Sequence, residues 1–412
     1  MNKEISSLRM FLKRKCINIE KHVFKRKRKL LFSNFLYFLM KLSSKGSTYT
    51  SVNSSLKIDN IVNVTNQSFS KKRNVISSDI FKTLFLDIVS YYYNTENEIK
   101  KIEVNKNELV KNEPTYNKLE NTKIYAVDGS KISMRKSLSE EGLQLTKNGT
   151  YCKALLSCLY DVNNKIPINA CMTKNFNERN AFIDQLSNNI PKGSIILFDR
   201  GYESIKLISD LISKGLKFII RMKINSLMVK SMILDKLTDK LFFTNEYGAI
   251  RVIKYVIEGE DYYLATNIFI KSVTDLKIMY HSRWTVEEHF KIMKCTLQTS
   301  NFTSNTFDKN NQSLYVQLLL IVLASLFKRM IIRYHPEKIK NGKTINFINI
   351  IHIMNTDILK QILFKTGSKK IMHCLKVASE FQVCNEPNRS YDRKRITPVS
   401  KWYYVGLRFK KK

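Results

Sequence analysis

Four side chains with complementary chemistry recur at helical spacing in the second half of this chain. They are Tyr280, Arg283, Glu287 and Lys294, at offsets of 0, 3, 7 and 14 residues. If the segment is one α-helix, these positions fall within about 60° of one another on a single face. An apolar stripe runs directly beside that face, which places Glu287 at the edge of a buried surface, whereas Glu288 points to solvent. A carboxylate flanked by donors suited to phosphate indicates phosphodiester chemistry.

Two aspartates follow short apolar runs that are predicted to be strands. Asp128 comes after Ile124–Val127, and Asp199 comes after Ile195–Phe198. A charged group at the end of a buried strand is costly unless it is paired or bound to a metal. The structural alternative is a turn aspartate, since Asp128 precedes a glycine.

Together with Glu287, these aspartates supply three hard oxygen ligands of the kind that Mg²⁺ or Mn²⁺ prefers. Two such ions could activate a water or a 3′-hydroxyl and stabilise the leaving oxygen. Tyr280, Arg283 and Lys294 would then bind neighbouring phosphates.

These segments resemble the three acidic motifs of the DDE transposases of the IS4 type. Asp128 lies in YAVDGSKI, Asp199 in ILFDRGYES, and the last segment matches the family's Tyr-x2-Arg-x3-Glu-x6-Lys signature without a gap. The strand YYLATNI and the amino-terminal segments around residues 24–40 and 64–73 are also similar to that family. The resemblance covers roughly residues 24–334.

The resemblance implies an RNase H-like catalytic core interrupted by a β insertion. It implies divalent-metal-dependent cleavage at transposon ends, often through a hairpin, followed by transfer of the freed 3′-hydroxyl into target DNA. It also implies a homodimer that pairs two ends. Asp128, Asp199 and Glu287 would be the catalytic metal ligands.

The composition agrees with a nucleic-acid partner. The chain has 412 residues with 70 Lys and Arg against 35 Asp and Glu, a formal charge of +35. Such a field attracts polyanions, although an A/T-rich genome also inflates lysine. The seven cysteines form no C-x-x-C pair, which argues against a zinc site. Their odd number and scattered positions fit a reducing cytoplasm. There the protein would associate with the nucleoid.

Two apolar segments could suggest a membrane, but neither is predicted to span one. Leu30–Leu42 is too short and contains polar residues, so a buried helix is favoured. Ser313–Ile332 is long enough, but its polar residues and its position after the predicted catalytic helix favour core packing. No membrane partner is expected.

Residues 1–112 are predicted to form a basic, helical DNA-binding domain. Within it, a helix is expected from Thr65, its N-cap, to Arg73. Gln67, Lys71 and Arg73 could face a DNA groove, or the helix could simply present a solvated basic face. The sequence alone leaves these two interpretations equally supported.

The middle of the chain is predicted to be an α/β domain. Strands expected at Ala154–Tyr160, Ile166–Met172 and Phe218–Ile220 join the two already named, with helices at Glu178–Leu186 and Ile205–Ile212. This order predicts a mixed sheet in a catalytic core at 113–335, with a β insertion at about 224–272. A basic region at 336–412 could bind DNA or join subunits.

Three further residues are possible DNA contacts with plain structural alternatives. Trp284 could stack on a base or be a half-buried helix residue. Arg200 and Tyr202 could touch DNA or pack the end of a strand. His281 and His289 could assist proton transfer, but surface positions are favoured. The rival functions are a decayed DNA-binding protein that no longer cuts, and a nuclease of the same fold without strand transfer.

Overall fold

The computed structural model describes residues 1–23, 30–43, 47–107, 122–246, 248–297, 299, 302 and 304–384, with only the backbone at 97–107. The basic run Lys25–Lys29, most of the predicted linker Asn105–Thr122 and the basic segment Arg408–Lys412 lie outside the described residues.

Helices and strands alternate along most of the chain. The helices are α1 Asn2–Val23, α2 Phe32–Leu42, α3 Tyr49–Ile58, α4 Asn66–Val75, α5 Ser78–Asn107, α6 Glu178–Ala181, α7 Ile205–Ser213, α8 Leu227–Leu234, α9 Val273–His281, α10 Trp284–Lys291, α11 Phe307–Tyr334, α12 Phe347–Ile353, α13 Leu359–Phe364 and α14 Lys369–Glu380. The strands are β1 Ile124–Met134, β2 Gln144–Leu145, β3 Cys152–Asp161, β4 Ile166–Thr173, β5 Ile195–Phe198, β6 Lys217–Arg221, β7 Asp239–Thr244, β8 Gly248–Ile257, β9 Glu260–Thr266, β10 Lys343–Ile345 and β11 Gln382–Cys384. Turns of π-helix, at Phe182–Leu186, Ile292–Thr296 and Met354–Ile358, continue α6, α10 and α12.

The described residues pack as two compact units. The helical unit contains Met1–Val104, Ser133–Cys152 and the chain from Ile292 onward, and the sheet unit contains Asn105–Ile132 and Lys153–Lys291. The chain therefore enters the helical unit three times. The functional boundaries expected near residues 112 and 335 stay predictions.

The sheet unit is built on a large mixed sheet. Its strands lie in the order β3-β1-β5-β6-β9-β8-β7, with β4 paired to the far side of β3. The three central strands β1, β5 and β6 run parallel, whereas β4, β9, β8 and β7 pair antiparallel with their neighbours. The predicted mixed α/β architecture is confirmed, and it is consistent with an RNase H-like core.

Continuous apolar runs explain the central strands. All four residues of β5 are buried, as are the three middle residues of β6, which is the pattern of parallel strands covered on both faces. On one face, Phe198 meets Phe182 edge-on with ring centroids 5.1 Å apart. Leu207 and Leu211 of α7 join the same core, so the strand ends are held by packing on a rigid layer.

The predicted β insertion differs from the expectation at its start. It opens with α8, whose Val229 and Met232 are three residues apart and both buried, a helical rather than an alternating pattern. Three antiparallel strands then follow, and β9 returns to pair with β6, where Ile219 lies opposite Thr266. The insertion thus extends the central sheet.

Helix α11 is the centre of the helical unit. It is the one helix among the described residues that is long and apolar enough to cross a membrane by length and composition, with a mean hydropathy of 1.9. However, 83% of that apolar window is buried inside the protein. The predicted core helix is therefore confirmed, and it is longer than expected at both ends.

The structure corrects the prediction that Arg73 faces DNA. The N-cap of α4 is Thr65 as expected, since its hydroxyl accepts a hydrogen bond from the Ser68 N–H. Arg73, however, is only 4% exposed. Its guanidinium donates to the side chain of Gln312 at 3.0 Å and the carbonyl of Lys309 at 2.6 Å, both on α11. Gln67 and Lys71 do lie exposed on α4.

Candidate active site

Asp128 and Asp199 lie at neighbouring positions on the two central strands. β1 and β5 are parallel, and their last paired residues are Val127 and Phe198. Each aspartate is the next residue along its strand, and adjacent strands are about 4.8 Å apart. Asp199 ends its strand as predicted and begins the 3₁₀ turn Arg200–Tyr202.

The expectation that Asp128 also ends a strand is wrong. β1 continues as far as Met134, so Asp128 and Gly129 are extended strand residues, and the turn alternative fails as well. The Asp128 carboxylate accepts a hydrogen bond from the Gly129 N–H at 2.9 Å. The β1–β5 pairing stops at Val127, and Asp128 is partly exposed.

The predicted single helix from Tyr280 to Lys294 is divided. α9 ends at His281 and α10 begins at Trp284. The Ser282 hydroxyl donates to the Met279 carbonyl at 2.5 Å, and the Thr285 hydroxyl donates to the Ser282 carbonyl at 2.9 Å. Hydroxyls that bond to nearby carbonyls compete with regular helix, which accounts for the interruption.

The interruption still leaves the expected side chains facing inward. Tyr280 is 8% exposed, Arg283 is 9% exposed, and Glu287 is half-buried, while Glu288 is exposed as predicted. At the junction, the Arg283 N–H donates to the Tyr280 carbonyl at 3.0 Å in a three-residue turn.

Arg283 joins two of the three predicted carboxylates. Its Nη2 lies 2.7 Å from Oε1 of Glu287, and its Nη1 lies 3.8 Å from Oδ2 of Asp128. Although burial opposes its charge, the neighbouring Tyr280, Glu287 and aspartates together raise the pKa of Arg283. The guanidinium therefore stays charged and draws Glu287 and Asp128 into one site.

A fourth carboxylate, Glu178, was not singled out from the sequence. It opens α6 after the N-cap Asn177, and its charge acts on both Asp128 and Asp199. A Cβ at Gly129 would lie 2.7 Å from Oε1 of Glu178, so only glycine leaves room for this carboxylate. The glycine after Asp128 was the available signal, but the sequence alone suggested a turn.

The electrostatics of the site raise the pKa of one aspartate. Burial raises the pKa of Asp128 to about 6, although Arg283 and the Gly129 N–H oppose the shift; the charges of Glu178 and Glu287 add to it. Burial also raises the pKa of Tyr280. The Tyr280 hydroxyl is buried and has no hydrogen-bond partner within the described structure, an uncommon state for a buried donor.

The donor types suit a hard divalent cation, but their present arrangement is not a formed metal site. Across the described ranges, no three Asp, Glu, His or Cys side chains are placed to hold one ion. The Glu287 carboxylate accepts a hydrogen bond from Arg283 at 2.7 Å, and Asp128 and Asp199 follow the last paired residues of β1 and β5.

The other predicted contacts fall in different environments. Lys294 is half-buried in the π-helical turn Ile292–Thr296, in the helical unit, and its role stays a prediction. Trp284 is 39% exposed, which leaves both of its interpretations open. Arg200 is exposed beside Asp199.

Of the two alternatives for Tyr202, the structure favours packing: it is 1% exposed and lies against Phe198 with ring centroids 5.2 Å apart. The expectation that His289 lies at the surface is wrong. His289 is 1% exposed against Tyr160, and burial lowers its pKa to about 3. It stays neutral and packs in the core.

Comparison with known proteins places this site in a family. The profile of the transposase DDE domain matches residues 120–323, a range that contains Asp128, Asp199 and Glu287. This region of the chain belongs to the DDE transposase family, and its assignment to the IS4 type stays a prediction.

Among curated proteins, the chain is similar to a probable transposase for insertion sequence element IS5377 from Geobacillus stearothermophilus. The two are 25% identical over 182 residues, which is 41% of this chain and 46% of that protein, so the match spans about half the length of the relative. Among solved structures, the chain is similar to the piggyBac transposase in a synaptic complex with hairpin DNA. That similarity has a TM-score of 0.46 and 12% identity, over 94% of this chain and 85% of the other.

Proposed function

We propose that this protein is a cut-and-paste DNA transposase. It binds the terminal inverted repeats of its own element, cleaves the DNA by phosphodiester hydrolysis and joins the 3′-hydroxyl ends to target DNA. The observation that carries the proposal is the placement of Asp128 and Asp199 side by side on parallel strands, with Arg283 linking Asp128 to Glu287. Family membership supports the reaction class.

Asp128, Asp199 and Glu287 are the residues that would hold two Mg²⁺ or Mn²⁺ ions. When bound, such a pair activates a hydroxyl nucleophile and stabilises the leaving oxygen. Two adjacent strands would fix the aspartates, Asp128 within β1 and Asp199 at the end of β5, whereas Glu287 lies on a helix and is paired with Arg283. Two ligands are therefore placed by the sheet, and the third depends on one ion pair.

Arg283 provides the exchange that completes the site. A guanidinium binds phosphate as well as carboxylate through paired hydrogen bonds. If Arg283 turns to a phosphate of bound DNA, Glu287 is released toward the aspartates. DNA binding and assembly of the metal ligands would then be coupled through one side chain.

Tyr280 and Lys294 are proposed to bind further phosphates. The buried, unpartnered Tyr280 hydroxyl is a donor without an acceptor within the described structure. Gln67 and Lys71, exposed on α4, remain possible contacts in an amino-terminal DNA-binding region, as do Arg200 and Trp284. Two copies of the chain would pair two ends, in the cytoplasm on the nucleoid.

The experiment separates binding from cleavage. Full-length Asp199→Asn and Glu287→Ala are compared with wild type on end-bearing DNA with Mg²⁺. Both variants should lose cleavage and keep end binding within a few-fold. Glu288→Gln is the control, because Glu288 is exposed one residue from Glu287. Parallel loss of binding and cleavage in folded variants would contradict the assigned roles.

The same assay tests the rivals. Cleavage without joining to a target plasmid would indicate a nuclease, and end binding without any cleavage would indicate a decayed DNA-binding protein. Inverted repeats flanking the gene, with a short target duplication, would support transposition directly. Capture by anionic vesicles in preference to DNA would overturn the assignment of partner.

A further inference from the structure

A basic pocket lies in the sheet unit at the carboxyl ends of β5 and β6. Its volume is about 430 Å³, and its lining includes Arg200, Arg221 and Lys223. Arg200 directly follows Asp199, and Arg221 is the last residue of β6, the strand parallel to β5. The pocket is therefore lined by the residue that follows one of the predicted metal ligands in the chain. The carboxyl ends of parallel strands are where α/β proteins bind ligands.

The charges of this pocket are not neutralised from within. In the part of the chain that the structure describes, the side chains of Arg200, Arg221 and Lys223 form no salt bridge, although the Glu203 carboxylate accepts a hydrogen bond from the backbone N–H of Lys223 at 3.0 Å. One acidic residue, Asp261, also lines the pocket, but its carboxylate is 2.7 Å from Nζ of Lys254. Three cations thus converge on one space, which favours an anionic ligand.

Arg221 is held in place by aromatic rings. Its guanidinium carbon lies 4.5 Å from the centre of the Tyr262 ring, and Tyr262 stacks on Tyr255 at 5.5 Å. A guanidinium stacked on a ring loses little further freedom when it binds an anion. The Tyr262 ring is therefore occupied by Arg221. The pocket offers hydrogen-bond donors for a phosphate more than a free aromatic ring on which a base could stack.

The pocket is electrostatically continuous with the predicted phosphate contacts. Arg221 is among the charges that act on the Tyr280 hydroxyl, together with Arg283 and Asp199. That hydroxyl is buried and unpartnered, as described above. The charge of Arg221 therefore influences the same tyrosine that Asp199 and Arg283 influence.

We propose that this pocket binds a backbone phosphate of the DNA strand that is presented to Asp199. The inference rests on the proposed function and adds Arg221, Lys223 and Arg200 to its substrate contacts. Binding there would set the position of the strand relative to the carboxylates, as substrate-positioning groups do. Arg221 is the central contact because it is both stacked and half-buried.

The test compares full-length wild type with Arg221→Ala, Arg221→Lys and a control, Lys206→Ala. Lys206 is exposed on α7 and does not line the pocket. Affinity for end-bearing DNA is measured by fluorescence anisotropy at several salt concentrations, and thermal unfolding confirms that each variant is folded. A second series replaces one phosphate at a time by an uncharged methylphosphonate.

Arg221→Ala should weaken binding roughly tenfold, as loss of a charge-assisted hydrogen bond does, and should lower the salt slope by about one. Arg221→Lys should recover part of the affinity. A methylphosphonate at one position of the DNA should weaken binding by the wild-type protein but not binding by Arg221→Ala. The proposal is overturned if Arg221→Ala behaves like Lys206→Ala, or if every methylphosphonate affects both proteins equally. If wild type itself shows neither end binding nor cleavage, the proposed function has failed instead.

Discussion

At the scale of single residues, the guanidinium of Arg283 determines how the acidic site is arranged. It lies 2.7 Å from Glu287 and 3.8 Å from Asp128, so it offsets the repulsion between two carboxylates. The same group is the predicted phosphate contact. Under the proposed function, a phosphate of bound DNA would compete with Glu287 for this guanidinium.

The raised pKa of Asp128 predicts how stability depends on pH. In a buffer that contains a metal chelator, the Asp128 carboxyl of the folded protein should stay protonated up to about pH 6, whereas that of an unfolded aspartate loses its proton near pH 3.8. Wild type should therefore lose up to about 3 kcal/mol of stability as pH rises from 4 to above 6. Asp128→Asn should remove that loss and unfold at higher temperature at pH 7.

The measurement is thermal unfolding from pH 4 to 8 for Asp128→Asn and the exposed-site control Glu288→Gln. The control should follow the wild-type profile. An Asp128→Asn protein less stable than wild type at pH 7, with an unchanged pH profile, would show that the carboxylate is not strained by burial.

Gly129 and Glu178 should be energetically coupled. A Cβ at residue 129 would meet the Glu178 side chain at 2.6 Å, so Gly129→Ala must displace that carboxylate. In Glu178→Ala the space is free, and Gly129→Ala should then cost less. A double-mutant cycle on unfolding free energy should give a coupling of about 1 kcal/mol, and additive effects would mean that the contact is unimportant.

At the scale of elements, the buried Arg73 should act as a structural link from α4 to α11. It also donates to the Tyr49 hydroxyl at 2.7 Å. Arg73→Ala removes these bonds and leaves acceptors unpaired, so we expect a loss of roughly 3 kcal/mol in unfolding free energy. Lys71→Ala, an exposed position two residues away, should change stability by less than about 0.5 kcal/mol. Equal stability of the two variants, measured by denaturant unfolding, would contradict this assignment.

Strands and helices could be predicted from the sequence where a continuous run of apolar residues marks a buried element. β5 was predicted residue for residue, and the adjacency of the two aspartates follows from parallel strands. The division between α9 and α10 was not predicted. Helical periodicity depends on the spacing of apolar and polar residues, and it carries no information about serine or threonine hydroxyls that hydrogen-bond to backbone carbonyls. The burial of Arg73 was missed because its partners on α11 are more than 230 residues away.

At the scale of the whole molecule, the charge of +35 predicts a strong dependence of DNA binding on salt. If six to ten phosphates are contacted, affinity should fall by roughly 10³ to 10⁵ between 50 and 200 mM salt. The measurement is binding of end-bearing and unrelated duplexes across that range. A salt slope near zero would mean that the excess of lysine is solvated surface without a role in binding.

The three separate entries of the chain into the helical unit bear on its synthesis. Arg73 finds Gln312 only after 239 further residues have left the ribosome. Until α11 has been synthesised, the amino-terminal helices lack the apolar helix on which they pack, and the Arg73 guanidinium remains in water. A product of early termination should therefore be unstable, and if the protein binds transposon ends as proposed, proteases should clear such a product before it competes for them.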